Sequence, residues 1–257
     1  MSSGDQVLSG HPPILGEPQC LGEGPLSSNH EQQYSAALLD ASSGAPPTLA
    51  SICLGVAIIL PVSGASVTLM SPGPVQGVAS ALEGPAKSLQ DLEFTLGEGP
   101  GIDAFTGQSP AIADDLRLAG GRWPLFTASA LNLGVRSVYG LPLRSGPTTL
   151  GVLTLCSELP GALAGDRLDD ALVVADLVGG LVPAMQAESA SENLASSLDA
   201  SDLRAVVHQA TGMVSAQVGC DMDDALVRLR GQAFASGQPI DELAEAVVDG
   251  YVRFDTP

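Results

Sequence analysis

The stretch VRSVYGLPLRSGPTTLGVLTLC, from Val135 to Cys156, decides the architecture of the larger part of this chain. Val135–Leu143 and Thr148–Cys156 are β-prone runs, and the Arg144-Ser-Gly-Pro147 segment between them is built from residues that tolerate or impose tight backbone dihedrals, so a β-hairpin is predicted. Working upstream, β-rich segments recur at Ala65–Met70, Val75–Ala81 and Pro110–Leu116. Helical patterns lie before and between them, at Leu49–Leu60, Ala86–Phe94 and Trp123–Leu133. Strands and helices are intermixed with no repeating βαβ period, which predicts an α+β domain with a largely antiparallel sheet.

Downstream, the Pro160-Gly161 turn leads into a stretch from Asp166 to about Met185 that places Leu168, Leu172, Ala175, Val178 and Val182 at helical spacing. The seven-residue step Leu168, Ala175, Val182 is compatible with a partner helix, although two heptads are too few to define a coiled coil. The last part reads as three amphipathic helices. Leu203, Val206, Val207, Ala210, Met213 and Val214 form the first stripe, which Gly219 ends. Asp221 is placed as the N-cap of the second helix, whose Ala225, Leu226, Leu229 and Ala233 face inward until Gly237. Pro239 opens the third, with Leu243, Ala244, Val247 and Val248 as its stripe. The expected organisation is a disordered leader over residues 1–33, rich in Ser, Gly, Pro and Glu, then an α+β domain over 34–185, a helical or flexible connector over 186–198 and an all-α domain over 199–257.

Composition bounds the function classes. Apolar residues make up 45% of the 257 and charged ones 15%, which suits a globular interior. The longest apolar run, Ile52–Val62, is interrupted by Gly55 and Pro61 and falls well short of the roughly 20 residues a membrane span needs. No basic segment precedes an apolar run near the amino terminus, so a cytoplasmic protein is expected. Cys20, Cys53, Cys156 and Cys220 are far apart with no CxxC pair, and neither a zinc cage nor a redox motif is spelled out. The net charge of −19 repels phosphates unless the few arginines gather on one face.

Two resemblances are carried by specific residues. Thr95-Leu-Gly-Glu-Gly-Pro-Gly101, Asp114-Asp-Leu116, Arg122-Trp-Pro124, Gly134-Val-Arg-Ser-Val138, Leu141-Pro-Leu143 and Gly151-Val-Leu153 resemble, in order and spacing, the GAF domains of actinobacterial GAF-ANTAR regulators. Arg204-Ala-Val-Val-His-Gln-Ala-Thr-Gly-Met213, Asp224-Ala-Leu-Val-Arg-Leu-Arg230, Ala233, Ala244 and Val247-Val248 are similar to the ANTAR pattern. The resemblance implies a GAF sensory domain followed by a three-helix ANTAR domain. It further implies a homodimer whose two ANTAR domains bind paired hairpins in a leader transcript and prevent a terminator from forming. The GAF family takes cyclic nucleotides, tetrapyrroles, haem or no known ligand; no bilin-attachment or haem-ligand pattern stands out, so no cofactor is expected and any small-molecule ligand stays unassigned.

Recognition of RNA loops uses arginine for phosphate and stacking contacts and polar donors for splayed bases. The candidate RNA-binding residues are therefore Arg204, His208, Gln209, Thr211 and Gly212 on the first helix of the last domain and Arg228 and Arg230 on the second. Arg204 and His208 are four apart and share a face. The plainer readings are a solvated His208, and ion pairing of Arg228 and Arg230 with Asp224. Likewise the Gly97, Gly99 and Gly101 segment lacks the Lys and the strand-to-helix setting of a phosphate loop and reads as a tight loop, and Trp123 reads as core packing rather than a ligand platform.

The alternative function is a sensor whose helical domain acts on a protein partner. Two features favour it: ten acidic residues against four arginines over 199–257, and a threonine at 211 where many ANTAR sequences carry lysine. An enzyme is not expected. Methionine-sulfoxide reduction, known among GAF domains, would need a paired and exposed set of thiols. A groove-reading helix-turn-helix would need more basic and polar residues than the second and third helices carry.

Overall fold

The computed structural model describes residues 25–42, 46–70, 76–82, 84–119, 121–191 and 198–254. Chain order is α1 (Pro25–Asp40), α2 (Leu49–Ile59), β1 (Gly64–Met70), β2 (Gln76–Ala81), α3 (Pro85–Leu96), α4 (Pro100–Gly107), β3 (Ala111–Ala113), α5 (Pro124–Asn132), β4 (Ser137–Ser145), β5 (Thr148–Ser157), α6 (Asp166–Ser191), α7 (Leu198–Val218), α8 (Met222–Ser236) and α9 (Ile240–Val248). The first eleven build an α+β domain around one antiparallel sheet in the order β2-β1-β5-β4-β3. The expected hairpin is present, with Val138 opposite Cys156 and Leu143 opposite Gly151.

Side chains alternate across a strand, and here both faces of the central strands are covered. Tyr139, Leu141 and Leu143 of β4 and Leu153 and Leu155 of β5 pack with Leu38 of α1, Ile52, Cys53 and Val56 of α2, and Ala171, Val174 and Val178 of α6. Their neighbours Val138, Val152 and Cys156 pack on the opposite face with Leu89 of α3, Ala104 of α4, and Trp123 and Phe126 at α5. Double coverage turns β4 and β5 into near-continuous apolar runs rather than alternating ones.

Four local readings are corrected. Residues 25–33 belong to α1, where a structureless leader was expected; the amphipathic signal is faint, and the helix is held by Leu38 and Tyr34 against the same cluster as α2 and α6. Residues 1–24 lie outside the described set. Helix α4 begins inside the glycine segment read as a tight loop, at Pro100, and continues to Gly107; Pro100 fits the first helical turn, where no backbone N–H is needed. The strand expected over Pro110–Leu116 is cut to three residues because Asp115 caps a 3₁₀ turn at Leu116–Leu118, its carboxylate accepting from Arg117 N at 3.1 Å. The heptad step of α6 faces its own domain, since Ala175 packs in the sheet cluster and Val182 is fully buried.

The remaining three helices form their own small core of Val207, Ala210, Val214, Ala225, Leu226, Leu229, Ala233, Ile240, Leu243, Ala244 and Val247, all but Ile240 in the stripes the sequence predicts. The predicted caps are in place. Asp221 Oδ1 accepts from Asp224 N at 2.8 Å, and Gly237 ends α8 in the left-handed conformation at φ 68°. Among the described residues, Phe94 from the last turn of α3 joins this core from outside.

Candidate functional site

The seven residues expected at an RNA face do not share one environment. His208 and Gln209 are exposed on α7, as is Arg228 on α8, and among the described residues Arg228 makes no ion pair with Asp224. Arg204 lies on α7 with its side chain outside the described set. Open space lies beside Gly212, so internal packing does not require a glycine there. Thr211 is a correction: it is fully buried, and its hydroxyl donates to Val207 O at 2.7 Å. Its spacing from Val207 and Val214 puts it on the inward stripe, and the carbonyl four residues back satisfies the hydroxyl that burial would otherwise leave unpaired.

Arg230 faces the first domain. Its Nε and Nη2 donate to Phe94 O at 3.0 and 2.7 Å. Phe94 O lies in the last turn of α3. A cation at a helix C-terminus also meets the negative end of its dipole. Burial lowers the guanidinium pKa to about 10, which leaves it charged at neutral pH.

The Thr95–Gly101 motif is a structural joint rather than a phosphate cradle. Gly97 ends α3 at φ 68° and Gly99 precedes α4 at φ 150°, conformations that favour glycine. The space inside the loop is filled by a buried carboxylate: Glu93 Oε1 accepts from Gly101 N at 2.5 Å, and a Cβ on Gly99 or Gly101 would come within 2.6 or 2.5 Å of the Glu93 side chain. Glu98 Oε1 accepts from Leu125 N at 2.7 Å and Phe126 N at 2.9 Å, so it caps α5 from a distant part of the chain. Trp123, 2% exposed, is core, as the plainer reading had it. Its Nε1 donates to Asp103 Oδ2 at 3.1 Å, and Arg122 lies over the ring at 4.4 Å.

Sequence reasoning missed Glu93, Glu98, Asp103 and Phe94. One signal was available: Glu93 falls in the inward stripe of α3 with Ala86, Leu89 and Gln90, where a carboxylate is costly without a partner. Cys53 and Cys156 belong to different clusters on the two faces of the sheet, and burial pushes each thiol up to about 12. An open pocket of about 470 Å³ beside β3 is lined by Ile112, Asp114, Asp115, Leu118, Arg122 and Trp123, among others. Arg117, with Arg136 beside it, holds the Asp115 carboxyl well below the usual range. Among the described residues no cluster of His, Cys, Asp or Glu could hold a metal ion, and no helix is long and apolar enough to cross a membrane.

Glu93 gives the fold a pH dependence. Burial pushes its carboxyl up to about 7; the Gly101 N–H opposes the shift and the Asp103 charge adds to it. A folded-state value above the unfolded one means that the native protein holds the proton more tightly. The stabilisation is complete below pH 4.5 and is lost as pH rises through 7. Glu93→Gln keeps an oxygen for Gly101 N and removes the charge. The variant is expected to gain on the wild type by on the order of 3 kcal/mol between pH 4.5 and 8. Urea midpoints across that range check this, and a gap that does not change with pH would contradict it.

Residues 198–248 match the ANTAR domain. No curated protein matches the chain. Among solved structures, the chain is similar to the GAF domain of a phosphoenolpyruvate-protein phosphotransferase from Coxiella burnetii, at 14% identity and TM-score 0.45 over 63% of this chain and 98% of that one. It is also similar to free methionine-R-sulfoxide reductase from Neisseria meningitidis in complex with its substrate, at 12% identity and TM-score 0.42 over 65% of this chain and 96% of that one.

Proposed function

We propose that this protein is a signal-responsive RNA-binding regulator that prevents transcription termination. In this reading its GAF-type domain sets whether the ANTAR domain can engage paired hairpins in a leader transcript. The observation that carries the reading is the ANTAR match over 198–248, which implies a regulator of antitermination. The exposure of His208, Gln209 and Arg228 on α7 and α8 supports it. The protein acts as a cytoplasmic homodimer, since two hairpins are engaged by two copies and linkage raises the local concentration of the second. A ligand of the GAF-type domain shifts the equilibrium only by its differential affinity for the two arrangements.

The acidic surplus over 199–257 favours a second reading, in which the helical domain acts on a protein partner. Binding to a two-hairpin leader RNA at several salt concentrations separates the two. Arg228→Ala is expected to weaken binding about tenfold and to reduce the salt slope by roughly one ion. No binding by the wild type at low salt would move the assignment to the protein partner.

A further inference from the structure

We infer that the end of α3 is an intramolecular latch that withholds Arg230 from RNA, so that docking of the helical domain and RNA binding compete for one side chain. The inference rests on the RNA-binding reading and adds its regulation. Three observations carry it. Arg230 gives two N–H groups to one helix-end carbonyl of the other domain, Phe94 O. The Phe94 side chain, 7% exposed, sits in the helical domain's own core beside the cluster of Val207, Leu226 and Leu229. Gly97, three residues on, leaves room for the guanidinium, since a Cβ there would lie 2.6 Å from Arg230 Nη1.

The latch therefore joins a polar and an apolar element within one turn of α3. Arg230 cannot hold Phe94 O and an RNA phosphate or base with the same N–H groups. A docked population lowers apparent RNA affinity by the fraction that is competent. The GAF-type domain would then regulate by changing the position of the α3 end, and no signal need reach the exposed residues of α7.

Gly97→Asn separates the latch from the RNA face. Asparagine is tolerated in the left-handed conformation that ends α3, while its Cβ displaces the flexible end of Arg230 and leaves the helical domain's sequence intact. In the full-length protein, amide exchange in residues 93–97 and 222–236 is expected to accelerate, and affinity for the two-hairpin RNA to rise about tenfold. Arg230→Lys, which keeps the cation but loses the planar fork, serves as the second variant for the exchange readout alone, and is expected to accelerate exchange in the same two segments. Faster exchange in Gly97→Asn with unchanged or weaker RNA binding would overturn the latch and leave RNA binding standing. Unchanged exchange in both variants would also overturn it, because Arg230 would not be holding the domains. Absence of RNA binding in the wild type and in Gly97→Asn, with exchange accelerated, would overturn the RNA-binding reading and with it the competition.

Discussion

Trp123→Ala is expected to destabilise the α+β domain by about 3–5 kcal/mol, the range for truncating a fully buried large aromatic. The indole is 2% exposed and packs edge-on to Phe126 at 6.2 Å between ring centroids. Its removal also leaves Asp103 without the Nε1 donor and Arg122 without the ring beneath it. Trp123→Phe retains most of the packing and loses the donor, and is expected to cost about 1–2 kcal/mol. Urea unfolding followed by far-UV circular dichroism is the suitable measurement, because the chain has one tryptophan and fluorescence would vanish with it. A loss below about 1 kcal/mol for the alanine variant would show that the indole is not part of the core and would reopen a ligand-stacking role.

Gly140→Ala carries the second large effect, roughly 3 kcal/mol of destabilisation. Gly140 lies in β4 between Thr154 of β5 and Ala111 of β3, and a Cβ there would stand 2.3 Å from Pro100 O and 3.1 Å from Gly101 N. Backbone atoms at the start of α4 cannot rotate aside as a side chain can. Relief requires α4 to lift from the sheet, and that movement pulls Gly101 away from Glu93. Gly180→Ala on the outer face of α6 is the control. Nothing lies within 4 Å of its Cβ, and it is expected to stabilise by about 0.5–1 kcal/mol through helix propensity. Equal effects at the two positions would contradict the close-approach argument.

The candidate site was legible only in part. His208, Gln209 and Arg228 lie at the surface. Thr211 does not, since the apolar period that identifies α7 also assigns position 211 to its buried face once the inward stripe is centred on Val207, Ala210 and Val214. A threonine inside the bundle also changes the meaning of a missing lysine there, because the position turns toward the core rather than toward a phosphate. Arg230 reads as one more surface arginine when α8 is considered alone. Its half-buried state appears only when α3 is placed against α8.

By itself the sequence determined the hairpin of β4 and β5, the inward stripes of α7, α8 and α9, the caps at Asp221 and Gly237 and the succession of an α+β and an all-α domain. Each of these follows from dihedral preferences or from side-chain periods that act within a few residues. Only the tertiary structure decided that Glu98 caps a helix 27 residues away, that Glu93 fills a glycine loop and that Arg230 reaches a carbonyl 136 residues earlier. These contacts join elements whose proximity is set by sheet order and helix packing, and the residues that make them carry no local pattern pointing to their partners.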